Sequence, residues 1–300
     1  MARVNRCVEL LDQGQPVYYE RVSVTDLNYD SGRDLCDTWA DFLRIEMEHQ
    51  ALDVPALYDF MRGLKDAGPT RSGHVTPAVF CTIPASGMSE GEVRANAWQI
   101  RHILGTGVHG LYLPHVRDPK AVRTFVEAAR FPMNTIGVGP GLGVGTRGHG
   151  AEWQPAEIWG LDVREYLRKA DPWPLNPEGE LILGVKVEDR FGLEHADGAM
   201  AVPGVTFGEW GPGDMGLFYG HPEWKDPPYA PEMEKAWRIV KAACDKAGIR
   251  WLCMWDDPAM GVQAKAEFLI NDMGATLLCS NNGNDMAKAG RKLTNRQIPV

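Results

Sequence analysis

No apolar run in the sequence approaches the roughly 18 residues of a membrane-spanning helix, and no membrane partner is expected. Basic residues are outnumbered, with 31 Lys and Arg against 40 Asp and Glu and a formal charge of −9. A chain of that sign repels phosphate backbones, so no nucleic-acid partner is expected either. The six cysteines, Cys7, Cys36, Cys81, Cys244, Cys253 and Cys279, contain no CxxC pair. Three of them (Cys81, Cys253 and Cys279) fall in strand-like runs, which predicts packed, reduced thiols in a cytoplasmic protein. Nucleotide signatures are missing too. The run Gly139-Pro140-Gly141-Leu142-Gly143 fits neither GxGxxG ahead of a helix nor a P-loop. Residues 1–14 mix Val4, Val8 and Leu11 with charges, as an amphipathic helix does and a secretory signal does not. Neither tandem repeats nor an interdomain linker break the 300 residues, and one domain over 1–300 is expected.

What is present is alternation. Strand-like runs at 17–24, 42–47, 78–83, 110–113, 181–188, 205–210, 251–255 and 276–279 are rich in β-branched and aromatic residues. Helical patterns lie between them, near 32–40, 55–65, 90–104, 119–129, 230–247 and 260–272. The 55–65 segment shows why. Pro55 suits a first helical turn, Leu57, Phe60, Met61 and Leu64 recur at helical spacing, and Gly68 follows as a stop. Strand–helix alternation implies parallel strands with right-handed crossovers. Eight units predict an α/β fold, a (β/α)8 TIM barrel, with an open doubly wound sheet as the alternative. Residues 135–138 run into the glycine-rich stretch and read as loop. The segment 139–179, rich in Gly and Pro, reads as a long active-site loop with a short helix at 163–169, packed down by Trp153, Trp159 and Trp173.

Barrel enzymes react at the C-terminal ends of their strands. Three such ends carry polar residues that their apolar runs do not predict: Glu46-Met47-Glu48-His49, Lys186-Val187-Glu188-Asp189, and Glu209-Trp210-Gly211-Pro212-Gly213-Asp214. Alternation puts Lys186 and Glu188 on one face, either as a core ion pair or as part of a site. Glu188 and Asp214, two carboxylates at successive strand ends, suit a divalent Mg2+ or Mn2+ ion, other divalent ions being open. The turn at Gly211–Gly213 would turn backbone N–H groups, Gly213 among them, toward a substrate carboxylate beside Asp214. His49 is the leading proton-transfer candidate because it directly follows its strand. His115, after Leu113-Pro114, ranks second.

Taken together these segments resemble the metal-dependent class II pyruvate aldolases of the HpcH/HpaI aldolase family, within the phosphoenolpyruvate/pyruvate barrel superfamily. Glu48-His49 resembles the family's pair after the second strand, and Gly110-Leu111-Tyr112-Leu113-Pro114 its fourth-strand motif. Val187-Glu188 is similar to its metal-binding strand, and Gly211-Pro212-Gly213-Asp214 to its metal turn. The likeness runs from about residue 10 to 289. It implies a homo-oligomeric barrel, often a hexamer, with a metal on Glu188 and Asp214 and with His49 moving the aldol hydroxyl proton through a water. The substrates implied are a small 2-oxo acid and an aldehyde. Three positions depart from the family pattern. Phe80 stands nearest its strand-three Arg, no acidic partner for the His appears in 104–107, and Lys186 replaces a common Gln. Lys186 is therefore read as a catalytic charge standing in for the missing guanidinium. A decarboxylase or a CoA-ester lyase on the same site, and a non-catalytic ligand-binding barrel, are the alternatives.

Overall fold

Period-two alternation in the apolar runs sorts their side chains into two shells. The structure is a computed structural model and describes residues 3–279 and 281–296. Strands β1 (Val17–Val22), β2 (Phe42–Glu46), β3 (Ala78–Thr82), β4 (Gly110–Leu113), β5 (Ile182–Val187), β6 (Phe207–Trp210), β7 (Arg250–Cys253) and β8 (Leu277–Leu278) pair in parallel and in sequence order. β8 pairs back with β1, so the barrel is closed and the open sheet is excluded. The inner shell holds Val17, Tyr19, Phe42, Phe80, Tyr112, Ile182, Phe207, Leu252 and Leu277. The alternate residues, such as Leu43, Ile45, Val79, Leu111, Leu183 and Val185, face the helices. Gly184 makes this inner packing feasible. A Cβ there would lie 2.0 Å from the Phe207 ring, so only glycine leaves room for it.

The helices are α1 (Arg6–Asp12), α2 (Tyr29–Leu35), α3 (Val54–Ala67), α4 (Glu90–Leu104), α5 (Pro119–Ala129), α6 (Trp153–Ile158), α7 (Val163–Lys169), α8 (Arg190–Glu194), α9 (Ala196–Met200), α10 (Pro212–Phe218), α11 (Pro231–Ala247), α12 (Val262–Glu267) and α13 (Gly283–Leu293). Of the expected amphipathic helix, residues 1 and 2 lie outside the described chain. Within the rest, Arg6–Asp12 forms α1, whose Cys7, Val8, Leu10 and Leu11 join the inner shell and stop the barrel floor. α2 begins earlier than the apolar pattern suggests, because Asn28 and Ser31 form a reciprocal capping box. The 260–272 pattern divides into α12 and a π-helical turn, Phe268–Asp272.

The segment 139–179 requires a correction. It joins α5 to β5, so it runs beneath the N-terminal strand ends, at the opposite end from any active-site mouth. Its contacts agree: Pro172 bridges Leu181, Arg3 donates to the Pro177 carbonyl, and Trp159 donates to the Gly107 carbonyl ahead of β4. Buried Arg130 fastens the segment by two hydrogen bonds to the Asp171 carboxylate, at 2.6 and 3.0 Å. The three tryptophans divide accordingly: Trp159 and Trp173 are buried, whereas Trp153 is exposed.

Trp159 also stacks on His109, with ring centroids 5.3 Å apart. His109 is fully buried and its Nδ1 accepts from the Val79 N–H at 3.3 Å, so the ring is neutral with its proton on Nε2. Burial pushes its pKa down to about 3, helped by His74. The unfolded chain binds this proton near pH 6.5 and the native chain only near 3. Stability is therefore full above pH 6.5 and is lost as pH falls toward 3, by roughly 4–5 kcal/mol from this group. In urea titrations between pH 7 and 4, His109→Asn should show a shallower acid loss than the natural protein. Parallel curves would remove His109 from the acid response.

Candidate active site

Climbing each strand toward its C-terminal end, the inner shell changes from aromatic to charged. On β2 the inward residues run Phe42, Arg44, Glu46. On β5 they run Ile182, Gly184, Lys186, then Glu188, and on β6 Phe207, then Glu209. These charges line a cavity of about 390 Å³, with His49, Gly211, Pro212, Gly213 and Asp214 on its wall. His49, Lys186, Glu188, Gly213 and Asp214 thus face one cavity at the expected end of the barrel, whereas Glu48 and His115 lie behind its wall.

Its centre is an ion-pair cage. The Lys186 ammonium lies 2.7 Å from Glu48 Oε2 and 2.7 Å from Glu188 Oε1. His115 Nε2 stands 3.0 Å from the other Glu48 oxygen, and the His115 backbone N–H donates to Glu188 Oε2 at 3.0 Å. His115 adopts φ +49°, a left-handed conformation that a non-glycine residue holds only when its surroundings impose it. Burial raises Glu48, but the bonds from His115 and Lys186 outweigh it and draw its pKa down to about 2. Glu188 is pushed the other way, up to about 6, because burial prevails over the neighbouring Lys186. Burial disfavours the Lys186 charge, yet Glu188, Glu209 and Glu48 more than compensate and raise its pKa.

His49 is more open, with its side chain 54% exposed, and its Nε2 points to Asp214 Oδ1 at 3.7 Å. The acidic partner expected ahead of β4 comes instead from its own strand. Glu46 Oε1 accepts from the backbone N–H groups of Glu48 and His49 at 2.7 and 3.3 Å and lies 3.7 Å from His49 Nδ1. The Gly211–Gly213 turn opens α10 and places Asp214 in its first turn. First-turn N–H groups have no partner inside a helix, so those of Gly213 and Asp214 are free to meet an anion. Glycine is demanded at 211 because a Cβ would sit 2.2 Å from Glu188 Oε1.

One functional group escaped the sequence reading. Arg44, 5% exposed, extends its guanidinium across the barrel to Tyr19 Oη (3.0 Å), Glu209 Oε1 (3.3 Å) and Thr82 Oγ1 (3.4 Å), above the Tyr112 ring. Its ladder partner is Phe80, the residue marking the missing strand-three Arg, whose ring stacks on Phe42 at 4.3 Å. A guanidinium thus stands one strand away from Phe80. Period-two alternation from Phe42 to Glu46 would have found it.

Two donor sets suit a cation. Glu48, His49, His115 and Asp214 bring one ligand atom each to within 4.8 Å of one another. Glu188 and Asp214 offer oxygen alone across the same wall, and Glu188 Oε1 is buried without a hydrogen bond although Lys186 lies beside it. Hard oxygen donors fit Mg2+ and Mn2+, whereas two imidazoles favour later transition metals. Asp214 belongs to both sets. The other histidines stand apart: His149 pairs with Glu152 beneath the barrel, and His221 pairs with Glu223 at the surface. Among the described residues the six cysteines form no disulfide and are buried, and no described helix is long and apolar enough to cross a membrane.

No protein-family profile matches the chain. It is 34% identical over 151 residues to a hydroxypyruvate/pyruvate aldolase of Deinococcus radiodurans, covering 50% of this chain and 48% of that protein. The chain thus spans about half the length of the curated relatives it matches first. Among solved structures, an HpcH/HpaI aldolase/citrate lyase family protein from Burkholderia cenocepacia superposes with TM-score 0.67 at 22% identity, covering 97% of this chain and 98% of its own. The citrate lyase beta subunit of M. tuberculosis, solved with oxaloacetate and magnesium, gives TM-score 0.54 at 13% identity over 93% of this chain and 98% of its own. At these identities the structural likeness is one of fold.

Proposed function

We propose, for a chain that is a sequence relative of hydroxypyruvate/pyruvate aldolases on the barrel of HpcH/HpaI proteins, a divalent-metal-dependent aldolase that cleaves or forms the C3–C4 bond of a 4-hydroxy-2-oxo acid. The products of cleavage are pyruvate, or a related 2-oxo acid, and an aldehyde. The observation that carries this reading is the meeting of Glu188, Asp214 and His49 in one charged cavity at the C-terminal end of the barrel.

Glu188 and Asp214 would hold the ion, which supplies Lewis acidity at the 2-oxo oxygen when bound. The N–H groups at Gly213 and Asp214 receive the substrate carboxylate. His49 takes the C4 hydroxyl proton; the oxygen pair left behind forms the aldehyde C=O, the C3–C4 pair becomes the C2=C3 bond of the enolate, and the former C2=O π pair moves onto the 2-oxo oxygen. Arg44 and Lys186 set positive charge beneath that developing anion, and Lys186 also fixes the Glu48 and Glu188 carboxylates. Glu46 steadies His49 through the backbone N–H groups it accepts. Solvent water then protonates C3 to complete pyruvate, and His49 returns its proton to the hydroxide left behind.

His49→Ala should depress cleavage by about 100-fold or more, the usual worth of a positioned acid–base group, while proton exchange at the pyruvate methyl group falls far less. Exchange needs the charged floor of the cavity and no C4 hydroxyl. NMR of pyruvate in deuterium oxide, set beside a coupled aldehyde assay, reads both rates. Equal loss of the two would assign His49 to binding or structure.

A further inference from the structure

The ion-pair cage holds one group more than its carboxylates need. Lys186 already stands 2.7 Å from Glu48 Oε2, yet a second partner, His115 Nε2, lies 3.0 Å from Glu48 Oε1. On the open side His49 Nε2 faces Asp214 Oδ1 at 3.7 Å, and His49 Nδ1 is 3.9 Å from Glu48 Oε2, which joins the two pairs. These residues come from the segments after β2 and β4 and from the first turn of α10, so three separate parts of the rim converge. Two neutral imidazoles and two carboxylates form a mixed nitrogen–oxygen set whose charge of −2 matches a divalent cation.

The spacing suits a small four-coordinate ion. Zinc holds nitrogen and oxygen at about 2.0–2.1 Å, so its neighbouring ligand atoms stand about 3.3–3.4 Å apart. The Glu48–His115 and His49–Asp214 separations bracket that value, and the four ligand atoms lie within 4.8 Å of one another. The closure still required falls on the open half. His49 and Asp214 are 54% and 21% exposed, against 17% and 5% for His115 and Glu48. We propose that Glu48, His49, His115 and Asp214 form a second cation site, selective for Zn2+, which competes through the shared Asp214 with the Mg2+ or Mn2+ ion of Glu188 and Asp214. Imidazole nitrogen suits zinc, whereas carboxylate and water oxygens suit magnesium and manganese, so the two donor sets divide ions by chemistry. Zinc in this site also commits the His49 lone pair and so switches the enzyme off. That consequence alone rests on the aldolase reading, in which His49 is the base.

Binding of the two ions, measured without turnover, decides between one site and two. Electron paramagnetic resonance follows Mn2+, and competition with a chromophoric chelator follows Zn2+. His115→Gln and His49→Gln should each weaken Zn2+ binding by more than the roughly 10- to 100-fold cost of losing a hydrogen-bond partner behind a metal ligand. Both should leave Mn2+ binding near its natural value. Glu188→Gln should do the reverse, and Asp214→Asn should lose both ions. Co2+, used as a stand-in for zinc, should show the intense visible bands of a four-coordinate ion in the natural protein. Those bands should fade in His115→Gln while circular dichroism keeps the barrel signature. Zn2+ binding that survives both histidine changes, or that disappears with Glu188→Gln as Mn2+ binding does, overturns the proposal and leaves one oxygen site for all ions. In assays with Mn2+, added Zn2+ should abolish aldehyde release and a zinc chelator should restore it. Release that continues with Zn2+ bound through the histidines would instead remove His49 as the base, so the two failures are separable.

Discussion

Asp214→Asn and Glu188→Gln should each reduce metal-dependent turnover by at least about 1,000-fold, the largest losses expected from any substitution in the cavity. Each change keeps the side-chain volume and removes one anionic oxygen donor. Manganese titration followed by electron paramagnetic resonance should show both variants losing tight Mn2+ binding while circular dichroism keeps the barrel signature. Glu48→Gln is the informative control. Glu48 belongs to the cluster with His49 and His115 and, like Glu188, is held by Lys186 and His115. If Glu188 and Asp214 hold the ion, Glu48→Gln weakens Mn2+ binding much less than Glu188→Gln. The reverse order would move the ion to Glu48, His49, His115 and Asp214, and would favour a later transition metal at that site.

How much of this site was legible beforehand follows from periodicity. Lys186 and Glu188 break an apolar run at positions two apart, so alternation alone sends both inward, where they are found. The same rule applies to Tyr19 and Arg21 on β1 and to Phe42, Arg44 and Glu46 on β2, yet Arg21 and Arg44 went unread. A single Arg among apolar neighbours resembles an outward solvated residue until a second strand fixes the face, and that information is tertiary. α10 escaped for a different reason: Gly211-Pro212-Gly213 has the composition of a turn, and a seven-residue helix offers too few positions for a period to register. The end of the barrel to which 139–179 belongs was decided by chain order. A connection from helix to strand must finish where strands begin, whatever its composition.

Lys186→Met should have two effects that separate its possible roles. The substitution keeps most of the volume but leaves Glu48 and Glu188, with side chains 5% and 1% exposed, facing each other without the ammonium between them. Removing one partner from a buried ionic cluster costs about 3–5 kcal/mol, so the urea midpoint should fall markedly at neutral pH. Turnover should also fall, by about 100-fold if the ammonium acts like one donor to the developing oxyanion. Stability and catalysis then part in the double variant Lys186→Met/Glu48→Gln. Neutralising Glu48 removes the repulsion with Glu188 and should restore most of the lost stability. It supplies no cation, so turnover should stay low if Lys186 acts on the substrate together with Arg44. Recovery of both quantities would make Lys186 a neutralising strut for Glu48, and the cationic floor would then be the work of Arg44 alone, held over Tyr112 and against Glu209.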